Sequence, residues 1–473
     1  MISHSDDNTS RTLLPWLLVF LYFPFLYYFG AKYSTLVYTD YPSFYSGAKL
    51  AFQGRSPYDP NVLSDNATEA LAGHGTQTAA DDRATGAAPV NQRVYPYLYP
   101  PPSLLLFYPL AHVSYPVGKV AVLAVNHICL LAVVYLLLVK ILGFSLRRVF
   151  GELLPAFLAI YIVYSRGVSS TIELGQVNLL VMTLLCVSWW GLRNDMPAWV
   201  VALPLAIACV FKIYPVLFVG LLVMRRKYAA AGILVALLLA ACGVSWVLLP
   251  HQLWHDWIAN VAPTCGYLRT PIGRIPPTLG VNVGIAGFVA RLFLAPIIRM
   301  EDPKIGPPLF PYPAFGRALA YLLVAAAVAV TTWAAYRSSR NKDEAPKDGP
   351  GRIDLEFAAF LVLTFLVAPL AWEHHLVYVI PAIVVAILVA LRERDGGAVN
   401  WSPAIIFASA CVIGWPLAIG KLPLPRLPQI LLVSLKLYAV LAIWAFLLLR
   451  LCRPMAFVDS RRDVKSNLAL GSA

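Results

Sequence analysis

Apolar segments of the length needed to cross a lipid bilayer recur throughout this chain of 473 residues. A helix needs about 20 apolar residues to span the hydrocarbon layer, and a spanning segment must satisfy its own backbone hydrogen bonds. This pattern predicts an all-α, multi-span membrane protein. The segments lie at about 13–36, 117–142, 174–193, 228–249, 316–336, 355–371, 376–392, 401–418 and 429–450, with shorter ones at 152–166, 197–211 and 213–224.

The composition agrees with a membrane protein. Only 13% of the residues are charged, about half of what a soluble domain carries. The net charge of +13 does not indicate nucleic-acid binding, because much of the Lys and Arg lies in short segments between apolar runs. The seven cysteines are scattered and form no CxxC pair, so the sequence indicates neither a metal site nor a disulfide framework.

Basic clusters orient the predicted spans, because Lys and Arg are enriched in cytoplasmic loops. Twelve spans fit the basic clusters when both termini lie in the cytoplasm. We therefore expect the whole chain, 1–473, to form one membrane domain in the plasma membrane. The basic segments are Lys140 to Arg148, Arg193, 225–227, 337–352, Arg392 to Arg394 and 450–465. The opposite, extracytoplasmic face then receives residues 37–116, a turn at 167–173, Lys212, residues 250–315 and residues 372–375.

The two long outer loops contain segments of different character. Residues 61–93 are small, polar and free of aromatic residues, which predicts a flexible insert. Residues 94–116 are rich in Tyr and Pro, as expected of an interfacial segment. Residues 280–298 could form a re-entrant or interfacial helix. Lys212 and a Tyr-Pro pair separate the apolar runs 197–211 and 213–224, which predicts a tight helical hairpin or a broken helix.

Several polar groups on the outer face have both a structural and a functional interpretation. Asp40, in "TDYPSFYSGA", could be the N-cap of the helix that follows. Gln176 and Asn178, at the start of a span, could satisfy a helix terminus, and Lys212 could be a snorkelling lysine. Arg269 and Arg274 could be ordinary loop cations.

The stretch Trp372-Glu373-His374-His375 lies between two spans with no room for a solvated loop. Adjacent histidines point to different helix faces, so they serve a two-His metal site poorly, and the HExxH spacing is absent. A single His that reaches a phosphate is geometrically easier. Ionisable groups at membrane depth are candidates for function, and here they gather on one face.

Five motifs together resemble glycosyltransferase family 87, which are membrane enzymes of the GT-C fold typified by mycobacterial polyprenyl-phosphomannose-dependent α-mannosyltransferases. They occur in family order and extend from residue 39 to residue 381, most of the chain. The motifs are "TDYPSFYSGAKLAFQGRSPYDP", "YLYPPPSLLLFYPLA", "ELGQVNLLVMTLL", "FKIYPVLFVGLLVMRRKYAAAG" and "LVAPLAWEHHLVYVIP".

The resemblance implies an inverting transfer from a polyprenyl-phosphate sugar, most simply mannose, to a hydroxyl of a glycolipid or polysaccharide on the extracytoplasmic face. It implies that Asp40 is the general base and that the departing phosphate is bound by Lys212, by an Arg of the 250–315 loop (Arg269 or Arg274) and by either His374 or His375. The chain contains no DxD carboxylate pair, which favours a metal-independent reaction without a cofactor. Further substrate contacts are expected from Tyr41, Tyr45, Glu173, Gln176, Asn178, Trp372 and Glu373.

Other functions remain open at the level of the sequence. A polyprenyl-phosphate-pentose donor, as used by an arabinofuranosyl transferase, fits the same family resemblance. A transporter or flippase for a lipid-linked glycan could use the same cations to bind phosphate without chemistry, although such proteins often show internal repeats and none is seen. A structural membrane component is disfavoured by the cluster of ionisable groups on one face.

Overall fold

The computed structural model describes residues 22–26, 28, 40–72, 95–294, 308–340, 349–392, 401–417 and 424–453. Within these ranges the chain is helical and forms no strand; one isolated bridge joins Asn282 to Trp372. The all-α fold predicted from the sequence is therefore confirmed for these residues. Most of the first predicted span, residues 73–93 of the predicted insert, residues 295–298, and the basic residues at 341–348, 394 and 454–465 lie outside them.

Five helical stretches are long and apolar enough to cross a membrane. Ser165, in an extended conformation, divides one of them into two helices, and another ends in a π-helical turn, Leu136–Ile141. In chain order these are α5 (Tyr115–Tyr135), α7 with α8 (Leu153–Tyr164 and Arg166–Leu174), α12 (Tyr228–Leu248), α15 (Pro313–Ser339) and α20 (Leu435–Cys452).

Five shorter apolar helical stretches accompany them. The predicted count of twelve spans is not established by these lengths and stays a prediction. The short stretches are α9 (Asn178–Arg193), α10 (Ala198–Phe211), the 3₁₀ turn Tyr214–Leu217 with α11 (Phe218–Met224), α17 (Ile380–Arg392) and α18 (Ser402–Gly414).

The remaining helices are mostly short and connect or cover these stretches. They are α1 (Tyr41–Phe52), α2 (Pro60–Ala72), α3 (Pro102–Leu106), α4 (Tyr108–Ala111), α6 (Leu146–Gly151), α13 (His251–Asp256), α14 (Ile285–Phe293), α16 (Arg352–Leu366), α19 (Arg426–Val433), the 3₁₀ segments Ala262–Thr264, Pro271–Gly273 and Glu373–Tyr378, and the π-helical turn Trp257–Val261.

Two sequence predictions differ in detail from the structure, and a third agrees with it. The predicted turn at 167–173 is the helix α8. It continues α7 with a bend, because Glu173 and Glu373 pair with Arg166 and the helix can continue beyond this charge. The helix α2 occupies residues 60–72, so the first part of the predicted flexible insert is ordered. Residues 285–293 form a helix of nine residues, too short to cross a bilayer and in keeping with the predicted re-entrant or interfacial helix.

Helix α10 and the 3₁₀ turn with α11 form a hairpin whose two arms are separated by Lys212 and Ile213. Lys227, just after α11, makes an ion pair with Asp195, just before α10, so the chain returns to the level at which it left. This contact favours the hairpin over a single broken helix. It also places Lys212 at the far tip of the hairpin.

The core is centred on α16 and α17, which are buried along almost their whole length. Trp189 of α9 stacks on Phe357 of α16 with ring centroids 4.7 Å apart. At the same end of α9, the indole N–H of Trp189 donates to Asp354 (2.8 Å) and Arg193 pairs with that carboxylate. Arg225 pairs with Glu356 at 2.5 Å. This end of the bundle is thus fixed by buried ion pairs, and α9 extends from it for roughly 24 Å to the candidate site.

Candidate active site

A cavity of about 590 Å³ lies at the end of the bundle opposite these ion pairs. Its size is typical of a small-molecule site. Apolar and aromatic side chains form most of its wall, among them Phe44, Leu98, Phe211 and Trp257. The sequence-predicted residues that line it are Asp40, Glu173, Gln176, Lys212, Trp372, Glu373, His374 and His375.

Asp40 lies immediately before α1 and is about nine-tenths buried. It occupies the N-cap position, but its side chain makes no capping hydrogen bond within the described residues. Instead, its Oδ2 accepts a hydrogen bond of 2.8 Å from Nε2 of Gln176, and its backbone N–H donates to the carbonyl of Leu174. The structural interpretation as a helix cap therefore does not account for this carboxylate.

Gln176 is positioned by the way in which α8 ends. Gly175 adopts a left-handed conformation (φ 66°, ψ 34°), which glycine tolerates without strain. The N–H of Gly175 donates to the carbonyl of Ile172, and the N–H of Gln176 donates to that of Thr171, the pattern of a Schellman motif. The motif stops the helix and turns the Gln176 side chain towards Asp40.

Lys212 follows the last residue of α10 and reaches into the cavity from the tip of the hairpin. Its Nζ donates to the phenol oxygen of Tyr99 at 2.5 Å and lies 4.7 Å from the centroid of that ring. Tyr99 donates in turn to Oε1 of Gln176 at 3.4 Å. Lys212 and Asp40 are therefore joined through two neutral side chains, which a snorkelling lysine would not require.

Burial shifts the pKa of both ionisable groups toward neutrality. It raises the pKa of the Asp40 carboxyl to about 6, while the Gln176 hydrogen bond and the charge of Lys212 act in the opposite direction. Burial lowers the pKa of the Lys212 ammonium to about 8, and the Asp40 charge opposes this shift. A carboxylate base with a pKa near 6 and a cation that is charged below pH 8 suit chemistry at neutral pH.

A second group of charged residues, Arg166, Glu173 and Glu373, also lines the cavity. Arg166 of α8 pairs with Glu173 (2.8 Å) and with Glu373 (3.0 Å), and Lys436 of α20 pairs with Glu373 (2.6 Å). Burial alone would raise the pKa of Glu373, but Lys436 and Arg166 outweigh it and hold this pKa below its usual range. The Glu373 carboxylate is thus neutralised and positioned by cations from two different helices.

The two histidines differ in their surroundings. The 3₁₀ turn that carries them packs against α8 at Gly167, where a Cβ atom would lie 2.6 Å from the backbone nitrogen of Val377. The His375 ring is hydrogen-bonded to the backbone of Leu370, and its Nε2 is buried. The His374 ring makes no hydrogen bond within the described part of the chain, although it lines the cavity.

Both imidazoles are neutral near pH 7. Burial, together with the positive charges of Lys212 and Arg166, holds the pKa of His374 well below its ordinary value. Burial, His374 and Lys212 do the same for the pKa of His375. A contact from either ring to a phosphate would consequently be a hydrogen bond from a neutral N–H. The positive charge for such a phosphate would come from Lys212 and not from a histidine.

Five of the predicted site residues lie elsewhere. Tyr41 and Tyr45 pack against Tyr115, and their hydroxyls donate to the carbonyls of Tyr115 and Val113. Asn178 is fully buried and joins the carbonyl of His374 to the hydroxyl of Tyr378. Arg269 donates to the carbonyl of Pro263, and Arg274 contacts Pro60 and Asn61 at the start of α2.

Sequence reasoning did not single out Tyr99 and Arg166, which line the cavity, or Lys436, which pairs with Glu373. Arg166 and Lys436 are charged residues within apolar segments, and that signal could have identified them. Nothing in the sequence distinguishes Tyr99 from Tyr95 and Tyr97 in the same Tyr-Pro-rich segment. No group of three or more His, Cys, Asp or Glu side chains that could hold a metal ion occurs in the described ranges.

The fold and the cavity define a class of protein: a helical membrane protein with a polar cavity at one end of its bundle. The chain belongs to glycosyltransferase family 87, since the model of that family matches residues 97–369, more than half of its length. It is thus a glycosyltransferase. No solved structure matches the chain.

Three similar proteins come from mycobacteria. One, from Mycolicibacterium smegmatis, is a polyprenol-phosphate-mannose-dependent alpha-(1-2)-phosphatidylinositol mannoside mannosyltransferase; it is 26% identical over 71% of this chain and 69% of its own length. A protein of the same description from Mycobacterium tuberculosis is 27% identical over 63% of this chain and 64% of its own length. A third, from Mycobacterium tuberculosis, is described as acting on phosphatidylinositol pentamannoside and is 26% identical over 64% of this chain and 60% of its own length.

Proposed function

We propose that this protein transfers a mannosyl residue from a polyprenyl-phosphate donor to a hydroxyl group of a glycolipid, with Asp40 as the general base. The observation that carries the proposal is the cavity in which Asp40 and Lys212 are linked through Tyr99 and Gln176. The donor class and the phosphatidylinositol mannoside type of acceptor are those named for the mycobacterial relatives.

The reaction is a single displacement. The acceptor O–H loses its proton to Asp40, and the acceptor oxygen forms a bond to the anomeric carbon. The bond between that carbon and the phosphate oxygen breaks, and its electron pair stays on the departing polyprenyl phosphate. The phosphate gains one unit of negative charge in this step, so the Lys212 ammonium stabilises the leaving group more strongly than the donor.

The charges of the cavity support this assignment of roles. Glu173 and Glu373 form ion pairs with Arg166 and Lys436. Among the carboxylates that line the cavity in the described residues, this leaves Asp40 without a direct ion pair. A retaining mechanism would need a carboxylate nucleophile in addition to an acid–base group, whereas a single base suits inversion. A single ammonium matches a donor with one phosphate, and we propose that the reaction needs no metal ion.

We place the cavity on the extracytoplasmic side of the plasma membrane. Two basic groups, Arg193 and the run Arg225 to Lys227, lie at the other end of the bundle. The ion pair between Lys227 and Asp195 holds them at the same level. Basic residues of this kind favour the cytoplasm. The apolar wall near Lys212 and the exposed Ile213 and Val216 are suited to an isoprenoid chain that enters from the bilayer.

The direct experiment uses purified protein in liposomes and a panel of labelled donors. We expect transfer from polyprenyl-phosphate mannose to added phosphatidylinositol mannosides, and less than about one-hundredth of that rate from polyprenyl-phosphate arabinose, since pockets that bind substrate hydroxyls discriminate by factors of this size or more. Transfer from the arabinose donor alone would overturn the sugar assignment. Movement of labelled lipid across the bilayer without transfer would indicate a flippase.

The two histidines provide a prediction about the donor phosphate. We expect His374→Ala to lower kcat/KM by about 10- to 100-fold, the loss of one hydrogen bond to a charged group, with an unchanged melting temperature. We expect His375→Ala chiefly to lower the melting temperature, because that ring is anchored to Leu370 and stacks on Tyr378. Kinetics and thermal unfolding of both variants are the measurements. Equal and mild losses in both would contradict a direct phosphate contact.

A further inference from the structure

Lys212, Tyr99, Gln176 and Asp40 form a hydrogen-bond chain that runs in one direction. Lys212 can only donate, so the phenol oxygen of Tyr99 accepts and its O–H points onward to Oε1 of Gln176. The amide nitrogen of Gln176 then faces Asp40 and donates to Oδ2. The reverse orientation of the amide would place its oxygen against a carboxylate, which is repulsive. Each link therefore fixes the direction of the next one.

The hydrogen-bond chain uses only one of the two carboxylate oxygens of Asp40. Oδ2 is occupied by Gln176, whereas Oδ1 accepts no side-chain hydrogen bond from any residue in the described ranges. Asp40 is about nine-tenths buried and lines the cavity. With Oδ2 engaged by Gln176, Oδ1 remains accessible from the cavity that Asp40 lines, so this atom is suited to accept a hydrogen bond from a substrate.

We propose that Tyr99 and Gln176 are positioning residues, which transmit the charge of Lys212 to Asp40 and hold Oδ1 of Asp40 free for the acceptor hydroxyl. This inference rests on the proposed function. The hydrogen-bond chain keeps the proposed base, Asp40, apart from the proposed phosphate-binding cation, Lys212. Both groups therefore face the same cavity without neutralising each other by direct contact. Linked hydrogen bonds strengthen one another in a low-dielectric interior.

The other titratable groups near Asp40 come from several elements. Tyr95 and Tyr99 face it from the segment before α3, as their interaction with its charge shows, and Lys212 faces it from the tip of the hairpin. Arg166, Glu173, Glu373, His374 and His375 line the rest of the cavity. The wild-type rate is expected to fall below pH 6 as Asp40, whose pKa is about 6, becomes protonated.

Gln176→Met keeps the length of the side chain and removes the donor to Asp40. The charged carboxylate loses a hydrogen bond, so its pKa rises and the acidic limb of the pH–rate profile moves to higher pH by about one unit. Tyr99→Phe is expected to shift the limb in the same direction by less, because its 3.4 Å link to Gln176 is the longest of the chain. In the double variant, Tyr99→Phe should add no further shift, since it acts through Gln176.

A matched control is Tyr97→Phe. Tyr97 lies two residues from Tyr99 and is fully buried, whereas Tyr99 is partly buried. The Tyr97 hydroxyl is hydrogen-bonded to that of Ser103 and takes no part in the hydrogen-bond chain. We expect the acidic limb of the pH–rate profile of Tyr97→Phe to coincide with that of the wild type. A shift in Tyr97→Phe as large as that in Tyr99→Phe would mean that packing of the tyrosines causes the effect, and would overturn the inference.

A second measurement does not depend on turnover. Infrared difference spectroscopy of the protein in detergent follows the protonated carboxyl band of Asp40, which Asp40→Asn identifies by removing it. We expect this band to titrate at higher pH in Gln176→Met than in the wild type. An unchanged titration overturns the inference whatever the activity. If the wild type transfers sugar from no donor, the proposed function fails. The infrared titration still decides whether the hydrogen-bond chain shifts the pKa of Asp40.

Discussion

Asp40→Asn is expected to reduce sugar transfer by about 10²- to 10⁴-fold, the contribution of a general base. Asparagine has the same shape and can still accept the hydrogen bond from Gln176, so the geometry of the cavity is retained. It cannot take a proton from the acceptor hydroxyl at neutral pH. The measurement is the initial rate of transfer from polyprenyl-phosphate mannose in liposomes, together with binding of the same donor, which we expect to be preserved.

Asp59→Asn is the matched control for this substitution. Asp59 follows α1 and precedes α2, is exposed, and accepts hydrogen bonds from the backbone of Asn61 and Val62. Asparagine also serves at such a position, so the activity should remain at the wild-type level. Full activity of Asp40→Asn would remove Asp40 as the base.

Lys212→Met should cause the second largest loss, about 10²- to 10³-fold in kcat, as expected when a group that stabilises developing charge is removed. Methionine preserves the apolar stem but removes the cation that we propose stabilises the departing phosphate. Steady-state kinetics are the measurement, and the effect should fall more on kcat than on KM, because the phosphate carries more charge in the transition state than in the donor.

The pH dependence of Lys212 variants adds a sharper criterion. The pKa of Lys212 is about 8, so wild-type activity should decline above pH 8 as the ammonium loses its proton. Lys212→Arg keeps a positive charge at all these pH values, and whatever activity it retains should lack this alkaline decline. Lys49→Met, which removes a lysine that faces the Tyr45 ring of α1, should behave as the wild type. An unchanged alkaline limb in Lys212→Arg would assign the limb to another group.

The balance of charge in the cavity bears on the choice of donor. The carboxylates Asp40, Glu173 and Glu373 line the cavity together with the cations Lys212 and Arg166. Lys436, which pairs with Glu373 from α20, supplies the third matching cation, and the histidines are neutral. A site without excess positive charge suits a donor with one phosphate better than a nucleotide sugar with two. It also explains why the single ammonium of Lys212 has so large an expected effect.

Much of the fold could be predicted from sequence because the bilayer imposes simple requirements on length and polarity. The apolar runs that became α5, α9, α10 and α12 were found within a few residues, and so was the break at Lys212. The join of α7 to α8 was missed, because Arg166 looked like the end of an apolar run. In the structure its charge is met by Glu173 and Glu373, so the helix can continue beyond it.

The candidate site could be predicted only where a residue type is costly in its segment. Asp40, Lys212, Glu373 and His374 stood out for that reason, and all four line the cavity. Tyr41 and Tyr45 follow Asp40 closely in sequence but belong to a separate aromatic cluster, because successive helical residues point in different directions. Tyr99 could not be chosen among its neighbouring tyrosines.

The sequence by itself determined that this is a helical membrane protein, and its motifs indicated the family. Both follow from local properties: the length of apolar segments, the placement of basic residues and the order of short motifs. Only the tertiary structure decided which polar groups share a cavity, that Gln176 donates to Asp40, and that Tyr99 joins Lys212 to this pair. Those contacts connect residues up to 136 positions apart, and their geometry depends on how the helices pack, which no local pattern specifies.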